Sequence, residues 1–302
     1  MDVTPHVHRG AELVVDAKNI LGESVVWCDR RQRVYWTDIE ASAVWEYEPR
    51  TGATRTWPTP ARVGSLAVCT GDRLLIGLEK ALAYLDLTSG AVIRLVDVER
   101  DVPETRVNDG RCDRAGNFVF GTMNDMHDGR ALGAFYQYSA LNGLRKLEVP
   151  PVRIANSICF SPDGLVMYHC DSPAREIRRC RYDPNAATVR DDTRFTTLDE
   201  PPGDPDGSVV DAQGHVWNAE WGGGRIVRYS PRGEIDAILP LPVPNPTCIA
   251  FGGAARDELY ITTSRMEMSP AQLAASPAAG GLFRVRLPVR GGHAEVFSSA
   301  TK

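Results

Sequence analysis

Along most of the chain, apolar residues fall in short runs separated by polar turns, and within many runs apolar and polar positions alternate. Alternation with a period of two marks strands that have one wetter face. The runs recur in pairs. Residues 33–49 read RVYWTDIEASAVWEYEP and residues 73–87 read RLLIGLEKALAYLDL. Residues 117–138 hold NFVFGTM and GAFYQYS, and residues 165–184 read LVMYHCDSPAREIRRCRYDP. Residues 215–231 read HVWNAEWGGGRIVRYSP, and residues 258–287 hold ELYITTSR and GLFRVRL. These six copies recur at intervals of roughly 40 to 50 residues, each with two clear strands and room for two more. Turn signals separate them: DRRQR, CTGD, DRAG, SPDG, DAQG and GAARDE. A repeated four-stranded unit predicts an all-β, six-bladed β-propeller, with residues 1–302 as a single domain and residues 1–10 as a flexible N-terminus. The run ELVV at 12–15 is expected to pair with the last blade and close the ring, because the final sheet edge needs a partner. The stretch 267–281 reads as a short helix or loop between strands of that blade. A β-sandwich with irregular hairpins is the alternative, but it requires no set of equal periods.

Composition narrows the function classes. The 302 residues include 27 Gly and 21 Pro, an excess that fits many turns between short elements. A net charge of −5 gives no general attraction to phosphate backbones or anionic lipid, so neither nucleic acid nor a membrane is expected as a partner. No window approaches the roughly 18 apolar residues of a spanning helix, and the first residues lack the pattern of a secretory signal. The seven cysteines show no CxxC spacing and several sit in apolar runs, so they read as reduced core residues. A cytoplasmic location and a monomeric state are the corresponding expectations.

In a propeller the first strand of each blade lines the central channel, so polar residues there need explaining. The segments LGESVVW, RVNDGRCD, IANSICFSPDG and GDPDGSVVDAQG each place Glu, Asn or Asp just before an apolar run. Glu23, Asn108, Asn156 and Asp206 therefore come from four different blades. Taken together, Glu23, Asn156 and Asp206 offer a hard oxygen set suited to Ca²⁺, Mg²⁺, Mn²⁺ or Fe²⁺. The residues alone leave other roles open: turn capping for Asp206, a strand-end hydrogen bond for Asn156, a solvated position for Glu23. Arg106 offers a rigid donor fork, or else a salt bridge with Glu104 or Asp109. Asp109 reads as a brace, Trp221 as either a stacking platform or blade packing, and Glu220 as a rim or surface charge. A phosphate-binding glycine loop and a GxSxG elbow are both missing from the sequence.

At these residues the sequence resembles the SMP-30/gluconolactonase/LRE-like family. LGESVVW, RVNDGRCDRAGNFVFGTM, NSICFSPDG with YHCDS, and DPDGSVVDAQGHVWNAEWGGGRIVRYSP stand in the family's order and spacing. The resemblance implies a six-bladed propeller that hydrolyses a sugar lactone to the aldonic acid. It implies one divalent cation (calcium, zinc, manganese, magnesium or iron(II)) held by Glu23, Asn156 and Asp206. A carboxylate within hydrogen-bond reach of a water can also take its proton, which makes Asp206 the candidate catalytic base. Arg106, Asn108, Met123, Asn124, Asp125 and His169 are implied as substrate-facing residues. Animal members carry a substrate-contacting glutamate where this chain has Met126, and Asp125 or His127 are the available replacements. Two further readings remain: a promiscuous organophosphate or aryl-ester hydrolase, and a non-catalytic calcium-binding regulatory propeller.

Overall fold

A computed structural model describes residues 6–7, 10–126, 128–198 and 203–299. Of the segment 1–10 expected to be flexible, residues 1–5 and 8–9 lie outside the described residues. Strand β1 (His6–Val7) runs parallel to the outer strand of a later blade, and β2 (Glu12–Val15) follows it. Six antiparallel sheets then form the six blades of a β-propeller. Blade one is β3 (Gly22–Cys28), β4 (Arg33–Asp38), β5 (Ala43–Tyr47) and β6 (Thr54–Pro58). Blade two is β7 (Val63–Val68), β8 (Arg73–Leu78), β9 (Ala81–Asp86) and β10 (Val92–Asp97). Blade three is β11 (Thr105–Cys112), β12 (Phe118–Asn124), β13 (Phe135–Ser139) and β14 (Gly143–Lys146). Blade four is β15 (Ala155–Phe160), β16 (Val166–Asp171), β17 (Glu176–Asp183) and β18 (Thr188–Thr197). Blade five is β19 (Asp204–Val210), β20 (Val216–Trp221), β21 (Arg225–Tyr229) and β22 (Ile235–Pro240). Blade six is β23 (Pro246–Gly252), β24 (Glu258–Thr263) and β25 (Leu282–Arg286).

Blade six has only three strands of its own, and β2 supplies the fourth. Glu12, Leu13 and Val15 pair with Arg284, Phe283 and Leu282, as the exposed-edge argument expects. The helix α1 (Pro270–Ala275) lies between β24 and β25, capped by Ser269 and Gln272, with no buried residue of its own.

The first strands β3, β7, β11, β15, β19 and β23 contact one another in sequence around a ring, and β23 meets β3 to close it. Their burial is high because they face neighbours on both sides; β7, β15 and β23 have every residue buried. That explains their near-continuous apolar runs, in contrast to the alternating outer strands. Apolar clusters fill the spaces between successive blades, as where Leu147, Phe135 and Val152 of the third meet Ile158, Phe160 and Met167 of the fourth. All seven cysteines are free and buried in this packing.

The turn signals act through aspartates. Asp113 Oδ1 accepts from Ala115 N and Asn117 N at 2.9 Å each, and Asp211 Oδ1 accepts from Gln213 N and His215 N at 2.9 and 3.0 Å.

Candidate active site

Every inner strand begins with a β-bulge. The register shifts between Glu23 and Val26, Val63 and Ser65, Val107 and Gly110, Asn156 and Cys159, Pro205 and Ser208, and Pro246 and Ile249. A bulge re-aims a side chain that regular pleating would send elsewhere. Glu23, Asn108, Asn156 and Asp206 all sit at these points. Just past two of them the backbone is left-handed, with φ of 52° at Ser24 and 60° at Ser157. Such conformations persist only when the surroundings hold them. Here Leu66 N donates to Ser24 Oγ at 2.9 Å, and Ser157 Oγ donates to the Asp206 carbonyl at 2.6 Å.

A second device places two of the four. Asp38 and Asp171 end the second strands of blades one and four, in the motifs VYWTD and VMYHCD. Asp38 Oδ1 accepts from Leu21 N at 3.1 Å, and Asp171 Oδ1 accepts from Ile154 N at 3.0 Å. Each aspartate thus anchors the chain two residues before Glu23 or Asn156.

These residues converge on one pocket of about 200 Å³ at one mouth of the channel. Its polar wall includes Glu23, Arg106, Asn108, Asn156, Ser172 and Asp206, and its apolar wall includes Leu21, Ile39, Met123, Ile154, Trp221 and Met266. The opposite mouth holds a smaller cavity of about 80 Å³, covered by residues 291–295, and none of the predicted site residues reaches it.

Within the pocket the polar groups form a chain. Arg106 Nη1 donates to Asn108 Oδ1 at 2.9 Å, Asn108 Nδ2 donates to Asn156 Oδ1 at 3.1 Å, and Asn156 Nδ2 donates to Ser172 Oγ at 2.9 Å. The Asn156 oxygen accepts from Asn108 and keeps a second lone pair for another partner. Glu23 and Asp206 are close enough to share a hydrogen bond, and Ser24 N donates to Glu23 Oε2 at 2.8 Å. Burial, followed by the nearby Asp109 carboxylate, pushes the Glu23 carboxyl up from its ordinary range. Burial and then Glu23 do the same to Asp206. Asp206 Oδ1 is buried with no hydrogen-bond partner.

Two desolvated carboxylates side by side, one with an orphaned oxygen, are costly as anions unless a cation or a proton joins them. The donor set is all oxygen, so it fits a hard divalent cation. Among the described residues no group of three or more His, Cys, Asp and Glu is placed to hold a metal, so a cation here would depend on the Asn156 carboxamide as third ligand.

Three predicted substrate-facing residues do not line the pocket. Asn124 Nδ2 donates to Asp128 Oδ1 at 2.6 Å and to the Arg130 carbonyl at 2.9 Å, so it closes its own turn. Asp125 accepts from Arg106 Nε at 3.0 Å and from Arg62 Nη2 at 2.5 Å, which makes it a holder of Arg106. Burial would raise its carboxyl, but the Arg62 and Arg106 guanidiniums outweigh this and lower it. His169 lies in a separate cleft, 3.2 Å from Asp192 through Nε2 and edge-on to Phe135. It sits on a second strand, β16, rather than on the channel-lining β15. His127, the other replacement for the missing glutamate, lies outside the described residues.

Glu220 is also corrected: it is 1% exposed, receiving Arg225 Nε at 2.6 Å and Tyr229 Oη at 3.1 Å. Asp109 is the expected brace, accepting from Gly110 N at 2.9 Å and Ile158 N at 2.8 Å. Trp221, left undecided by the sequence, is on the pocket wall. Sequence reasoning missed Ser172, Asp204, Met266 and Glu267, which line the pocket from connections or a strand end. Asp204 had a usable signal: it precedes Asp206 on the same strand by two residues and so shares its face.

Known proteins bear on this arrangement. The profile of the SMP-30/Gluconolactonase/LRE-like region matches residues 21–265. An L-arabinolactonase from Azospirillum brasilense is 46% identical over 92% of this chain and 92% of its own. A 6-deoxy-6-sulfogluconolactonase from Pseudomonas putida is 32% identical over 92% of this chain and 95% of its own. Among solved structures, a calcium-binding protein, regucalcin, from Agrobacterium tumefaciens superposes with a TM-score of 0.91 at 28% identity, covering 98% of this chain and 99% of that one.

Proposed function

The chain belongs to the SMP-30/gluconolactonase/LRE-like family, and on that footing we propose that it is a divalent-metal-dependent sugar lactonase with a pentonolactone such as L-arabinolactone as its leading substrate. It is a lactone-hydrolysing carboxylic-ester hydrolase. The observation that carries the metal dependence is the orphaned Asp206 Oδ1 beside the buried Glu23 carboxyl. Glu23, Asn156 and Asp206 would hold the cation, which when bound supplies Lewis-acid polarisation of the lactone and charge stabilisation during attack.

The chain's own groups do the rest. Arg106, buried and held by Asp125, presents its fork to the carbonyl or a ring hydroxyl. Asn108 and Ser172 can bond sugar hydroxyls, while Met123, Ile154 and Trp221 form an apolar wall against the ring. The Asp206 carboxylate takes the proton of the attacking water through an oxygen not engaged with the cation, and that proton then goes to the ring oxygen as the ester bond breaks. The sum is lactone plus water giving the hydroxy acid.

The test is acid release from a panel of 1,4- and 1,5-lactones by chelator-stripped protein, with metals restored one at a time. Activity that is lost on stripping and returns with a divalent cation supports the proposal. No hydrolysis of any lactone with any metal would refute it. Asp206→Asn should bind metal yet lose turnover by roughly 10²–10⁴-fold, the usual worth of a positioned base. Full turnover in that variant would remove Asp206 from the role.

A further inference from the structure

We propose that the pocket takes lactones with no ionised substituent and turns away those bearing a phosphate, sulfonate or carboxylate. The inference deepens the lactonase reading and rests on it for the chemistry, while its binding test stands apart from turnover.

The argument is one of charge placement. Glu23, Asp204, Asp206 and Glu267 line the pocket, against one cation among the described residues, Arg106. Arg106 is buried in the pocket wall rather than placed at the mouth. It is 6% exposed, its Nε donates to Asp125 at 3.0 Å and its Nη1 to Asn108 at 2.9 Å and the Val107 carbonyl at 3.1 Å, which leaves Nη2 for a carbonyl or hydroxyl oxygen of the ring. A divalent cation would cancel the formal charge of Glu23 and Asp206 and leave the charge of Glu267 at the rim uncancelled. Asp204 has Arg175 3.5 Å away, but Glu267 is exposed and forms no ion pair among the described residues.

Glu267 is also fixed in place. Arg265 N and Met266 N both donate to the Ile20 carbonyl, at 3.0 and 2.9 Å, directly before the inner-strand lead-in. Glu267 then adopts a left-handed φ of 61°. Recognition of an anionic substituent needs unpaired cationic or N–H donors, ideally an arginine fork. Among the described residues no lysine lines this pocket, and no arginine other than Arg106. An uncharged polyol ring asks only for hydrogen-bond donors and acceptors, which Asn108 and Ser172 supply as neutral groups and Asp204 as an acceptor.

The test has two arms on metal-reconstituted protein. The first compares kcat/KM for arabinono-1,4-lactone and glucono-1,5-lactone with that for the 6-phosphate of the latter. The second measures calorimetric binding of the unreactive 1,5-anhydroglucitol and its 6-phosphate. The expected preference for the uncharged member is roughly 100-fold in each arm, since an unpaired like charge is strongly disfavoured at close range. Glu267→Lys should narrow it about tenfold. Equal or tighter binding of the phosphate analogue, or turnover of the phosphorylated lactone within a few-fold of the uncharged one, overturns the inference. If no lactone is hydrolysed but the uncharged analogue binds preferentially, the charge rule stands and the lactonase reading falls. If neither analogue binds, the pocket is not a sugar site and the inference falls with it.

Discussion

Asp125 shows how one carboxylate can be read correctly as important and wrongly as to role. Its two oxygens bridge Arg106 and Arg62, the latter also bonded to Glu79 at 2.5 Å, so it fixes the guanidinium on the pocket wall. Asp125→Asn should raise KM more than it lowers kcat, because Arg106 remains but wanders. The same residue gives a signed pH effect. Its folded-state carboxyl lies below the ordinary 3.8, so its contribution to stability is complete above that value and fades as pH falls through the lower one. The stability gap between the native protein and Asp125→Asn, from denaturant titrations at stepped pH, should therefore be open at pH 7 and close in acid. A gap that widened in acid would contradict the assignment. The side chain is one-quarter exposed, so the effect is partly screened.

At the scale of the strand, what matters is how tightly the inner strands approach at the bulges. Gly207 follows Asp206, and a Cβ there would stand 2.7 Å from Cys248 Cα on the neighbouring inner strand β23. Backbone cannot yield as a flexible side chain can. Gly207→Ala should cost about 1–3 kcal/mol by overpacking, read as a shift in denaturant midpoint, and weaken metal binding in calorimetry by displacing Asp206. A fully stable variant with native metal affinity would show that β19 and β23 can part freely. Asp171 works on the same scale in blade four. With Asp171→Ala, Ile154 N and Arg153 N lose their acceptor, and a loss of about 1–3 kcal/mol is expected, together with weaker metal binding through Asn156. Unchanged stability and metal affinity would count against this anchoring role.

The whole ring depends on two unlike closures. One is covalently remote: β2, from near the beginning of the chain, completes the sheet of β25 and carries the Glu12–Arg284 pair. A protein lacking residues 1–16 should unfold at least about 4 °C lower and self-associate, since β25 would present an unpaired edge. An unchanged Tm and a monodisperse elution profile would show the edge to be covered otherwise. The other would be electrostatic. Glu23, Asp109 and Asp206 are gathered in the channel, and a bound cation, as proposed, would relieve their mutual repulsion. Saturating divalent metal at about 100 times Kd should add roughly 2.7 kcal/mol, visible as a rise in Tm that Asn156→Ala abolishes. A Tm indifferent to chelator would argue against a site at this position.

The sequence by itself determined the architecture, because a propeller is a local pattern repeated: each pair of alternating strands and each Asp-containing turn is written within a few tens of residues. It also marked Glu23, Asn108, Asn156 and Asp206, since a polar residue opening a buried strand is conspicuous in one dimension. What it left open was where side chains point after a turn. Asn124, Asp125 and His169 stand next to pocket-lining or channel-facing segments in the chain. One closes a turn, one grips an arginine, and one faces a different cleft. Glu267 and Ser172, in turn, reach the pocket from connections whose course no periodicity encodes. Strand periodicity fixes a face, whereas the aim of a loop or a strand end is set by long-range hydrogen bonds and neighbouring blades. The contacts of those residues were therefore set only when the ring closed.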